Sequence, residues 1–184
     1  MTNGSDFWEL TNFGVVTNDL ANFQISDATG VLRPLAQPGD PALFIRPGES
    51  ILFVRNNVYS NETQVRNWWG SCLNPNVQIR FYPRPGFSGA GDGIRLYDSA
   101  SRLLDSADFG LARPGFSFVY DTNSGTFGVP SVLGVGGTCQ AATADDFGSP
   151  GTTTGAVPLQ IIQHPVSMTN CAGLDATFTH PFCK

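Results

Sequence analysis

The sequence predicts an all-β chain, and three observations carry that reading. Gly (21), Pro (13) and Phe (14) are plentiful, while only 14% of the residues are charged. No long window of Ala, Leu, Glu and Lys is present, so the usual material of amphipathic helices is missing. Several short segments alternate apolar and polar residues and are bounded by turn residues, the pattern of half-buried strands.

Residues 7–12 alternate, with Trp8 and Leu10 expected inward and Glu9 and Thr11 outward. Asn18, Asp19 and Leu20 read as a polar corner. Residues 22–27 supply a second strand with Phe23 and Ile25 inward. A turn at Ala28-Thr29-Gly30 leads to residues 31–35, which Pro34 confines to an edge. Residues 42–45 make a short strand, and Arg46-Pro47-Gly48-Glu49 has Pro and Gly in favoured turn places. Residues 50–55 form the most apolar strand, expected at the centre of a sheet. Residues 56–75 read as long and irregular, and residues 77–82 alternate again.

Residues 92–110 read as a hairpin. Ile94 and Leu96 share one face of its first arm, Arg95 and Tyr97 the other. Asp98 can open the turn by bonding backbone amides two residues on. Leu103 and Leu104 are adjacent, so one of them points away from the core or a bulge sits there. Residues 116–121 are the last well-marked strand. Residues 129–157 are Gly, Thr, Ser, Ala and Pro with few large side chains, and read as a linker or an extended tail. Residues 158–184 regain strand character but are too few for a core of their own.

The net charge is −5 and the Arg residues are scattered. Nucleic-acid affinity comes largely from basic patches, so this balance argues against that partner. No stretch has the apolar length that spans a bilayer, and the N-terminus shows no signal-peptide pattern; an export signal would lie outside this chain. The four cysteines (Cys72, Cys139, Cys171 and Cys183) form no C-x-x-C pair, which argues against a zinc ribbon or thioredoxin-like site. An even count fits disulfides in an oxidising compartment. Cys72 with Cys139 and Cys171 with Cys183 is the preferred of three pairings, with free thiols as the alternative.

Phrases in order along the chain carry a family resemblance. They are Asp6-Phe7-Trp8-Glu9-Leu10-Thr11-Asn12, the stretch from Asp19 to Asp27, the stretch from Ile45 to Val54, Gly91-Asp92-Gly93-Ile94-Arg95-Leu96-Tyr97-Asp98, Asp105-Ser106-Ala107-Asp108-Phe109-Gly110 and Gly148-Ser149-Pro150-Gly151. Over residues 6–151 they resemble the lamin tail domain, which implies an immunoglobulin-like β-sandwich. Members usually begin with a strand before the first phrase; only five residues precede Asp6, so that strand is expected to be missing, or the sequence to begin late. The Trp68 region is longer and more aromatic than the pattern. Residues 163–178 look like the opening strands of a bacterial immunoglobulin-like repeat. The expected organisation is therefore a sandwich over 1–128, a linker or extended tail of it over 129–157, and the truncated start of a second module over 158–184.

The resemblance implies a non-catalytic interaction or structural module of an exported multidomain surface or secreted protein, binding protein or, in some members, nucleic acid; the net charge of −5 favours protein contacts, with the parent chain's other domains as neighbours. The location expected is extracellular or at the cell surface. The alternative is a carbohydrate-binding accessory domain: Tyr59, Trp68 and Trp69 can form an aromatic platform for a surface glycan or a protein, because aromatic rings give large contact area with a polar handle. Plugging one end of the sandwich is the plainer use of the same rings.

Other chemistry is thinly represented. Asp92, Asp98, Asp105 and Asp108 crowd the hairpin without the spacing of a calcium loop, so turn caps and solvated edge charges account for them. His164 and His180 lie in the C-terminal stretch, away from any Ser-His-Asp set or metal-ligand spacing. Gly134, Gly136 and Gly137 lack the strand-to-helix context of a phosphate loop, and Asn61-Glu62-Thr63 and Asn3-Gly4-Ser5 match the glycosylation sequon by chance. Neither an enzyme nor a cofactor is expected.

Overall fold

The computed structural model describes residues 4–121 and 126–152. In chain order the elements are β1 (Phe7–Thr11), β2 (Asn18–Asp19), β3 (Gln24–Ser26), β4 (Arg33–Pro34), β5 (Phe44–Ile45) and β6 (Ser50–Arg55). Helix α1 (Glu62–Trp69) and a 3-10 turn (Gly70–Cys72) follow. The rest are β7 (Gln78–Tyr82), β8 (Asp92–Tyr97), β9 (Leu103–Phe109), β10 (Phe118–Asp121), β11 (Thr126–Pro130), β12 (Cys139–Gln140) and β13 (Phe147–Gly148). The fold is all-β with one short helix.

Strand β6 lies where its apolar run requires, in the middle of a β1-β6-β7 sheet. Ile51, Leu52, Phe53 and Val54 are all fully buried, as expected of a strand covered on both faces. Alternation sends Ile51 and Phe53 into one core and Leu52 and Val54 into another. The first core is closed by a second sheet, ordered β4-β3-β8-β9, through Ile25 with Ile94 and Leu96 beside it. Trp8 stacks on Phe53 there, centroids 4.2 Å apart. The second core is closed by Val65, Trp68 and Trp69 of α1. Glu9 therefore does not face open water as its alternation predicts, because both faces of β1 are covered.

Strands β6 and β7 run parallel. Parallel neighbours cannot be joined by a tight turn and need a crossover of about a dozen residues or more, usually helical. Residues 56–77 are that crossover, and α1 corrects the expectation of an irregular stretch. The predicted polar corner at Asn18-Asp19 is likewise a short strand, paired with β5.

Strands β8 and β9 form the predicted hairpin. Leu96 faces Asp105 and Tyr97 faces Leu103, so Leu104 is the extra residue of a bulge. Both leucines are exposed, at 55% and 51%, and neither enters the core. Strand β9 is the outer strand of its sheet, where a bulge and the charges of Asp105 and Asp108 discourage pairing with another chain.

A boundary at residue 128 falls inside β11, which pairs with β10. Residues 129–152 then pack back onto the sheets. Strand β12 pairs with β13, the Phe147 amide donates to the Gly115 carbonyl, and the Phe116 and Phe147 rings stack at 4.7 Å. Residues 158–184, with Cys171, Cys183, His164, His180 and the second resemblance, lie outside the described residues.

Candidate functional site

The residues singled out for binding meet at α1. Asn61 caps the helix from an extended backbone, and its side-chain oxygen accepts the Gln64 amide at 3.0 Å. Gln64 reaches back to accept the Ser60 amide at 2.9 Å, so two otherwise orphaned donors are satisfied reciprocally. Glu62 pairs with Arg66 one turn on, at 2.6 Å. Val65, Trp68 and Trp69 share one face by their i, i+3, i+4 spacing and are buried together. Gly70 ends the helix at φ +58°, and a Cβ there would lie 2.8 Å from the Ala142 Cβ.

Trp68 and Trp69 are fully buried, and their centroids are 4.8 Å apart. Phe7 meets both indoles edge-on at 6.0 and 5.6 Å, and half-buried Tyr59 lies 4.9 Å from Trp68. The backbone of Gly4 crosses the Trp68 ring, where a Cβ would collide with the indole, and a Cβ on Gly148 would lie 3.0 Å from the Trp69 ring. The structure thus brings Tyr59, Trp68 and Trp69 together but as packing. A sugar stacks only on an exposed ring face, so the expectation of an aromatic platform is corrected.

Asp146 was not singled out from the sequence, yet it is fully buried and accepts the Trp68 indole N–H at 3.1 Å. The Ala142 amide donates to the Trp68 carbonyl at 2.8 Å. A disulfide joins Cys72 to Cys139, with Cα atoms 6.0 Å apart, and fastens β12 to the end of the crossover. The signal for this arrangement in the sequence is weak: a carboxylate among small residues resembles any loop.

The hairpin aspartates have local duties. Burial pulls the Asp92 carboxyl up, but amides of Ser88, Ala28 and Gly93 outweigh it and hold the group below the usual range. Asp98 is held low by the backbone and side chain of Arg102. Asp108 pairs with Arg95, and Asp105 accepts the Ser106 amide. Among the described residues no group of three His, Cys, Asp or Glu side chains could hold a metal ion, and no helix is long and apolar enough to cross a membrane.

A polar cleft of about 320 Å³ opens where β6 and β7 begin, lined in part by Glu49, Ser50, Asn74, Asn76, Gln78 and Thr152. Gly151 is pinned at its edge. Its amide donates to Glu9 Oε2 at 2.9 Å, and its carbonyl accepts from Asn74 Nδ2 at 3.1 Å. Burial pushes the Glu9 carboxyl up to about 6, against the opposing pull of the Gly151 amide and Ser50. Comparison with protein-family models finds no match, and comparison with curated proteins finds none either.

Proposed function

We propose that this chain is a non-catalytic interaction or structural module of an exported multidomain surface or secreted protein, working through protein–protein contacts. The observation that carries this reading is the loop after β11. Val132, Leu133 and Val135 are 58%, 57% and 62% exposed, although the loop is held by backbone bonds from Val135 to Val132, Thr138 to Val135 and Gly134 to Thr138. Gly134, Gly136 and Gly137 adopt positive φ, which lets so tight a path form without strain. A preset apolar tip loses little conformational entropy on docking and suits a pocket on another protein.

The Cys72–Cys139 bond supports residence in an oxidising compartment. The resemblance to the lamin tail domain points the same way. Burial of Trp68 and Trp69 withdraws the support for a surface glycan as the ligand, leaving a protein as the partner favoured here.

The test uses the full chain, immobilised and exposed to the surface and secreted fractions of the cells that make it. A retained protein should lose at least about tenfold in affinity for the Val132→Asp, Leu133→Asp double variant, because each apolar contact is worth roughly 1–2 kcal/mol. Unchanged affinity for that variant, or turnover of a glycan or peptide substrate by the wild type, would overturn the proposal.

A further inference from the structure

Residues 138–148 cover the tryptophan pair, and what holds them there is unevenly distributed. The strands of this ribbon are two residues long. Of its apolar side chains only Ala141 is fully buried. A segment with so little buried apolar surface is drawn from the low-stability end of a fold. Its attachments to the helix side include the Trp68–Asp146 hydrogen bond, the amides of Ala142 and Thr143 on the Trp68 carbonyl, and the Cys72–Cys139 bond. Phe147 joins it on the other side through a single bridge to Phe116, just before β10. The sheet beneath is independent of all these, since β6 is bonded to β1 and β7 and buried on both faces.

We infer that the ribbon is a lid locked by the Cys72–Cys139 disulfide, and that reduction of this bond opens the lid over Trp68 and Trp69 while the sheets stay folded. The chemistry is thiol–disulfide exchange. Two equivalents of a thiol reductant supply two electrons and two protons, the S–S bond breaks, two cysteine thiols form, and the reductant leaves as its own disulfide. The bond spans a sequence separation of 67 residues. With the sheets folded most of that span stays fixed, and freeing the short stretch between β11 and Cys139 raises the open population by roughly a hundredfold in the chain-entropy account. The lid is then loose in a reducing compartment and shut in an oxidising one, so the molecule carries a conformational record of where it is. This goes beyond the proposed protein contact and does not depend on it, because the test reads conformation alone.

Amide exchange of the full chain, oxidised and then reduced with a monothiol, decides the matter, with alkylation and peptide mapping to assign which cysteines were freed. Exchange of the Ala141, Ala142 and Phe147 amides should accelerate by roughly a hundredfold on reduction and run well ahead of that of residues 51–54, which open only with the whole fold. Tryptophan emission should move to longer wavelength at the same time; Trp8 stays stacked on Phe53 and contributes a constant background. The Cys72→Ser, Cys139→Ser double variant should behave as the reduced protein without any reductant. Unchanged exchange in the ribbon of that variant would show that the bond locks nothing. Ribbon amides that exchange no faster than those of β6 in the reduced protein would show that there is no separate lid. Either result overturns the inference.

Discussion

Glu9 has both a neighbour and a chemistry that set it apart from the other carboxylates. Its carboxyl lies under the Gly151 amide, and burial raises it from 4.5 to about 6. A carboxyl raised on folding means that the folded chain binds more protons than the unfolded one between those values, so stability falls as pH rises through the window. The Glu9 contribution is fully present below about pH 4.5 and lost above about pH 6, by up to about 2 kcal/mol. Asp92 and Asp98 are held low and act in the opposite sense, losing their contribution as pH falls through their folded-state values. Urea unfolding of wild type and Glu9→Gln between pH 4 and 7 separates the two effects: the difference between the curves should slope only in the Glu9 window. Beside this, Trp69→Ala should cost about 3–5 kcal/mol, the usual range for emptying a buried aromatic site, whereas a ring exposed for binding would cost far less. Urea midpoints measure it.

At the scale of elements, α1 is the one whose absence would leave the sheet open. Asn61→Ala removes its cap and should lower stability by about 1 kcal/mol in denaturant titration. Leu104→Ser, by contrast, should change stability by less than about 0.5 kcal/mol, since the bulge places that side chain at the surface. These two elements also show where the sequence was legible. The β6 run and the Trp8/Leu10 alternation are strong signals because one face or both must be apolar, and they located the central sheet. Helix α1 carries its signals too: Asn61 with Gln64 three residues on, Glu62 with Arg66, and Val65 with Trp68 and Trp69. They are packed between Asn61 and Trp69 and are rich in bulky side chains of modest helix propensity, so they read as an irregular aromatic stretch. The parallel pairing of β6 with β7 rests on contacts far apart in the chain and left no local trace.

For the whole molecule, the composition of residues 129–152 was the misleading feature. Gly, Ala, Ser and Thr there suggest a segment with nothing to bury. The structure shows the other reason for small residues: the backbone itself is the packing material. Gly148 and Ala142 lie against Trp69 and Gly70, and a larger side chain would hold the ribbon off the indoles. The same segment supplies Asp146 for Trp68 and Cys139 for the disulfide, a closure worth about 4 kcal/mol by chain entropy. The C-terminal ribbon therefore completes the body of the fold around the buried tryptophans. Thermal unfolding of a chain ending at residue 128, compared with the full chain and followed by tryptophan emission with iodide as quencher, tests this most directly. The shortened chain should unfold cooperatively at a lower midpoint than the full chain, and Trp68 and Trp69 should become open to iodide. A cooperative transition at the full-chain midpoint, with both indoles still protected, would contradict the account.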